Sequence, residues 1–146
     1  MKAVPISHSQ EYLMQRCAEK INSEVFTKPY TSIGFSIDQK IIGGVTFSHF
    51  NGREIWASIW ADSKKMFTKA NLRTMFEYPF LICKVQRLSS VVRRDNEKSL
   101  KLTRQLGFIE EGVTRHCFEN TSDGDGIRFG MLPAECKWIP KEIGHG

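Results

Sequence analysis

The run from Arg87 to Arg115 admits few folds. Arg87–Arg94 reads as a strand, with Val91 and Val92 at its centre. Asp95 or Asn96 can cap a helix over 97–106, on which Ser99, Leu102, Thr103 and Leu106 share one face. Gly107 is suited to the left-handed residue that ends such a helix, and Phe108 opens another strand. A helix held between two strands by short connections must lie on a sheet, because its apolar stripe has nowhere else to go.

The rest of the chain supplies that sheet. Ile33, Phe35 and Ile37 alternate over 33–38, Asp38-Gln39 makes a tight turn, and 41–50 reads as the partner strand. Its Gly43-Gly44 pair suggests a bulge or a close backbone approach. Asn51-Gly52 is a type I′ hairpin signal. It leads into Glu54–Ala61, where Ile55, Ala57, Ile59 and Ala61 lie opposite Trp56, Ser58 and Trp60. Residues 33–61 are therefore expected to form a three-stranded antiparallel meander. Before it, Ser7-x-x-Gln10 predicts a capping box starting a helix to about Ser23, with Leu13, Cys17 and Ile21 inward. Pro29 and Tyr30 are expected in the loop between. After it, Leu72, Met75, Phe76, Pro79 and Phe80 follow helical spacing, and Pro79 should end or kink that helix. Phe108–Glu119 and Ile127–Trp138 are expected to form a closing hairpin around Asn120–Gly126. The fold class expected is α/β (α+β): one three-layer domain over 1–146, with a central mixed, mostly antiparallel sheet flanked by helices.

Composition narrows the function. No apolar run reaches the ~18 residues that span a bilayer, and the N-terminus lacks a signal-peptide core, so a cytoplasmic location and no membrane partner are expected. Cys17, Cys83, Cys117 and Cys136 are scattered, without metal-ligand spacing, so reduced thiols and no metal are expected. The net charge of +5 favours anionic partners. Lys64, Lys65, Lys69 and Arg73 form one basic group, Arg87, Arg93 and Arg94 a second, and Lys98, Lys101 and Arg104 a third. A phosphorylated cofactor would account for the first and third groups. Nucleic acid would account for all of them, but no recognised nucleic-acid motif is present. His49 and His116 read as strand-surface side chains, and Asp123-Gly124-Asp125-Gly126 as a hairpin turn rather than a calcium loop.

Taken with Tyr78-Pro79-Phe80 and Gly130–Trp138, the strings Asn96-x-x-Ser99 and Leu106-Gly107-Phe108-x-x-Glu111-Gly112-Val113-x-Arg115 resemble the GNAT acyl-CoA N-acyltransferase family, and within it small members encoded by bacteriophages. The resemblance covers most of the chain. It implies that acetyl-CoA lies in a splayed gap between strands 54–61 and 86–93, with main-chain groups near Trp60 and Ala61 free for its pantetheine arm. It implies contacts to that arm from Asn96 and Ser99. It implies that the pyrophosphate meets a helix N-terminus after the first strand, where the family pattern is Q/R-x-x-G-x-G/A. Here Lys64-Lys65-Met66-Phe67-Thr68-Lys69-Ala70 departs from that pattern, with Thr68 in place of the first glycine. A rebuilt loop would use Lys64, Lys65 and Lys69 for charge, Thr68 as a helix cap, and Ala70.

Many family members place a tyrosine acid seven residues after the asparagine; here that position is Thr103. Glu54, Asp62 and Glu111 are the candidate bases for acetyl transfer to a primary amine. The rival reading is an inactive protein of the same fold, acting in virion assembly or as a module for a protein or nucleic-acid partner.

Overall fold

The computed structural model describes residues 2–118 and 124–140. Seven strands form one mixed sheet in the order β1-β2-β3-β4-β5-β7-β6. They are β1 (Val4–Ile6), β2 (Tyr30–Ile37), β3 (Lys40–Ser48), β4 (Glu54–Ala61), β5 (Arg87–Arg93), β6 (Ile109–Thr114) and β7 (Gly126–Met131). Three α-helices lie on it: α1 (Gln10–Lys20), α2 (Lys69–Glu77) and α3 (Glu97–Leu106). Every strand pair is antiparallel except β4 with β5.

The meander forms as expected. Asp38 and Gln39, at φ 50° and 67°, turn β2 into β3. Phe35 pairs with Gly43 and Ser36 with Ile41, so β3 bulges at Ile42. Gly43 and Gly44 make a close approach: a Cβ on Gly43 would meet Met66 Sδ and, at 2.9 Å, the Trp60 carbonyl. The β3–β4 connection differs from the expected type I′ turn. It occupies 49–53, Gly52 alone of Asn51 and Gly52 has positive φ, and Asn51 works through its side chain. Asn51 Oδ1 accepts from the amides of Arg53 and Glu54 at 2.9 and 2.7 Å.

Residues of opposite parity along each strand face opposite layers. On one side α1 covers β2 to β4, with Leu13 set against Gly34 and buried Cys17 reaching the Ser58 carbonyl. The main core fills the other side, where Phe35, Phe47, Met66, Met75, Phe76 and Phe129 are fully buried beneath α2 and α3. The Phe76 and Phe108 rings, 6.1 Å apart, join the two helices there.

Helix ends follow capping chemistry, with one departure. Thr68 Oγ1 accepts from the Asn71 amide at 3.1 Å, and Asn96 Oδ1 from the Ser99 amide at 3.1 Å. Gly107, at φ 106°, ends α3. The expected Ser7/Gln10 capping box does not form. Left-handed Ser9 precedes α1; Gln10 Nε2 donates to the Ser7 carbonyl at 2.6 Å, and the same side chain exchanges two 2.7 Å bonds with the main chain of Ser32 on β2. The link to Ser32 ties the helix to the sheet. Helix α1 also stops at Lys20, leaving Ile21 half-buried beyond its end. Pro79 ends α2 and opens a π-helical turn over Tyr78–Ile82.

Three further expectations change. Tyr30 belongs to β2 rather than the preceding loop, β1 is an added edge strand, and β6 and β7 are shorter than the hairpin expected over Phe108–Glu119 and Ile127–Trp138. His49 and His116 sit at φ 57° and 55°, off the strands. Asp123 lies outside the described residues. No helix is long and apolar enough to cross a membrane.

Candidate active site

Strands β4 and β5 pair over only three positions: Glu54 with Arg87, Ile55 with Leu88, and Trp56 with Ser89. Beyond that they part. Ser90 Oγ still donates to the Ala57 carbonyl at 2.8 Å, and this bond marks the apex of the gap. Meanwhile the other edge of β4 stays fully paired with β3, up to Gly43 opposite Ala61. The main chain of 58–61 therefore has a satisfied edge and an edge turned into open space. Two causes hold the strands apart. The cross-over from β4 carries α2 back over the sheet, and the N-terminal turn of α3 fills the far end of the gap.

The gap is a cleft of about 710 Å³, within the size range of small-molecule sites. Ser58–Asp62 form one wall, Ser90–Arg93 the other, and Asn96–Ser99 with Leu102, Thr103 and Leu106 the end. Lys20, Ile21 and Asn22, following α1, approach from the opposite layer. It opens at the carboxyl ends of two parallel strands, the usual position for a ligand in an open α/β sheet. Trp60 is buried in its wall, with Arg16 and Lys20 each 5.5 Å from the ring centroid.

The charges around the cleft are partly spent on one another. Lys20 Nζ binds Asp62 Oδ1 at 2.9 Å, and Arg93 Nε lies 3.4 Å from Asp95. Lys98, at the start of α3, has no carboxylate partner within ion-pair distance among the described residues. The α3 end thus offers the helix dipole with a free cation beside it.

The residues singled out in the sequence divide by place. Trp60, Ala61, Asp62, Asn96 and Ser99 line the cleft. Lys64, Lys65, Thr68, Lys69 and Ala70 do not; they lie on the 3-10 turn Lys64–Met66 and at the cap and first turn of α2. Thr68 has an ordinary extended backbone at φ −81°, and its hydroxyl takes the Asn71 amide. The Lys69 and Ala70 amides, in that first turn, have no intrahelical acceptor. Thr103 lines the cleft, but its hydroxyl donates to the Ser99 carbonyl at 2.7 Å.

Glu54 and Glu111 stand elsewhere, in a recess of about 240 Å³ on the layer that α1 leaves uncovered. Arg87 lies between them. Its Nη2 meets Glu111 at 2.5 Å, its Nε meets Glu54 Oε2 at 3.1 Å, and Ser89 Oγ donates to the same Glu54 oxygen at 2.7 Å. Bonding to Glu111 drives the Arg87 guanidinium still further toward its protonated form. Trp56 and Arg128 complete the recess. Ser89 lines the recess and its chain neighbour Ser90 the cleft. Ser90, Lys20, Arg87 and Arg128 were not singled out as site residues in the sequence. Strand register, which sets Trp56 beside Ser89 and Val91 beside Arg128, positions the three strand residues, and the end of α1 delivers Lys20. Among the described residues, no group of three or more His, Cys, Asp and Glu side chains converges as a metal site.

No known family model matches the chain, and no curated protein matches it in sequence. Its fold is matched closely among solved structures. A spermidine N-acetyltransferase of Vibrio cholerae, in complex with CoA and spermine, superposes with TM-score 0.71 at 16% identity, over 92% of this chain and 97% of that one. RimJ of Mycobacterium smegmatis, with CoA-disulfide, gives 0.61 at 21% identity, over 80% of this chain and 57% of that one. A structure described as a probable acetyltransferase gives 0.61 at 22% identity over 70% of this chain, which spans 61% of its length. The mixed seven-stranded sheet with its flanking helices is the fold of these structures, the Vibrio N-acetyltransferase among them.

Proposed function

We propose that this chain is a GNAT-type N-acetyltransferase, with 1–146 acting as one such domain, acetyl-CoA as co-substrate and a primary amine as acceptor. The parting of β4 from β5 carries the reading. An acyl-pantetheine arm is a narrow chain with two amides, and the unpaired main chain of 58–61 is an edge such amides can extend. Asn96 and Ser99 bound the same slot. The Lys69 and Ala70 amides, with Lys64 and Lys65 nearby, suit the pyrophosphate, and Thr68 serves as the cap that exposes them. The fold neighbours add support, since the Vibrio enzyme was crystallised with CoA and an amine.

When bound, acetyl-CoA supplies a thioester carbonyl open to attack by a neutral amine. The chain would contribute position first: the cleft walls would hold the thioester in place, and such positioning alone accelerates transfer greatly. An amine arriving through the recess meets Glu54 and Glu111, and Glu54 Oε1 has no bonded partner among the described residues. That oxygen is the acceptor for the ammonium proton. Asp62, bound to Lys20, shapes the opposite end of the cleft.

Calorimetric titration with acetyl-CoA, against CoA and ADP, tests the reading. Micromolar binding, weakened by Asn96→Ala and followed by CoA thiol release when amines are added, is the expected result; no heat at millimolar acetyl-CoA overturns it. A second reading, a non-catalytic module of this fold for a protein, virion or nucleic-acid partner, draws on Thr103. Its hydroxyl is committed to the Ser99 carbonyl, leaving the thiolate no side-chain acid at that position. Binding without turnover of any amine would favour it.

A further inference from the structure

We infer that the acceptor is an elongated amine bearing an anionic group, of the length of a short peptide, and not a polyamine; this rests on the acetyl-transfer reading above. The recess holds two carboxylates, Glu54 and Glu111, and two guanidiniums, Arg87 and Arg128. Formally it is neutral. A polyamine, with several ammonium groups, gains nothing from a neutral recess, and Arg87 opposes it by occupying both carboxylates. The groups left open are one of each sign. Glu54 Oε1 is a free acceptor among the described residues, on a carboxylate held by Ser89, the residue before Ser90. Arg128 is exposed and has no carboxylate partner within ion-pair distance among the described residues.

Glycines hold this arrangement in place. A Cβ on Gly112 would come within 2.5 Å of Arg128 Nη2, so that guanidinium reaches the β6 backbone. A Cβ on Gly130 would come within 2.5 Å of both Arg87 Nη2 and Glu111 Oε2, so their ion pair lies against β7. The open cation is thus seated over β6, while the apex lies at β5, two strand spacings away in the order β5-β7-β6. Two spacings are about 10 Å. That is too far for the amine and carboxylate of one α-amino acid. It matches the span of about three extended residues, at roughly 3.3–3.6 Å each. Trp56, on β4, borders the recess on the far side of β5 from Arg128. In the reaction the terminal amine loses a proton to Glu54 and attacks the thioester carbonyl. The C–N bond forms as the C–S bond breaks, the nitrogen gives its second proton to water, and water protonates the departing thiolate.

The test uses the full chain with Ala-Phe-Ala as the free acid, the same tripeptide as its C-terminal amide, and spermidine. Acetyl transfer is followed by thiol release, and binding by backbone amide shifts. The free acid is expected to have a KM about tenfold or more below the amide, the effect of one charged hydrogen bond. Arg128→Gln should erase that ratio and Arg128→Lys restore part of it. Shifts at Gly112 should be stronger with the acid than with the amide. Equal KM values for acid and amide, or spermidine as the best acceptor, overturn the inference while leaving acetyl transfer standing. If acetyl-CoA fails to bind, the acetyl-transfer reading falls, and the shift comparison still decides whether the recess selects the anionic peptide.

Discussion

Burial pushes the Cys17 thiol up to about 11, from an ordinary 9.0, because the thiolate would lose its water beneath α1. The sign for stability follows. The unfolded chain releases this proton near 9.0 and the folded chain only near 11, so the folded form binds more protons between those values and stability falls as pH rises through that window. Unfolding in urea at pH 8 and pH 10.5 should show a loss of about 2 kcal/mol from this group. Cys17→Ala should flatten that part of the pH dependence while lowering stability at pH 8. A second residue-scale prediction concerns Gly43. With Met66 Sδ and the Trp60 carbonyl against its α-carbon, Gly43→Ala should cost about 1–3 kcal/mol by overpacking, read as a lower urea midpoint. That close approach was legible in the Gly43-Gly44 pair. The recess was not: Glu54 and Glu111 stood out as carboxylates, but nothing local in the chain reveals that Arg87 occupies both. Their grouping is a matter of register between strands distant in sequence.

At the scale of the element, α3 was the clearest in the sequence. Its cap at Asn96, its span Glu97–Leu106 and its stop at Gly107 all follow from local chemistry that needs no tertiary partner. Asn96→Ala should lower stability by about 1 kcal/mol through the lost cap. If Asn96 also meets the pantetheine, Asn96→Ser, a cap of similar quality, should keep most of the stability yet lose acetyl-CoA affinity as Asn96→Ala does. Comparing the two variants by calorimetry and urea unfolding separates the roles. Helix α1 shows the opposite case. The Ser7/Gln10 signal was a sound local one, but a residue distant in the chain, Ser32, supplied further partners for Gln10. Edge strand β1 was missed for a similar reason: three residues carry too little alternation to announce a strand, and Val4–Ile6 is held by pairing with β2.

For the whole molecule, the order of elements announced the layered α/β class, while strand order and the depth of the gap depend on long-range pairing that no window of sequence contains. Hydrogen exchange should display the result. Amides on the unpaired edge between Ser58 and Ala61 should exchange faster than those of β3, and acetyl-CoA should slow them selectively, whereas ADP should not. Uniform protection across β4 without ligand would contradict the gap. The same three-position contact has a mechanical meaning. The sheet is two stiff leaves, β1 to β4 and β5 with β7 and β6, bound along a spine only three residues long. A slender molecule entering between the leaves would act as a key does in a lock's wards, bridging them along the line where their main chains no longer pair.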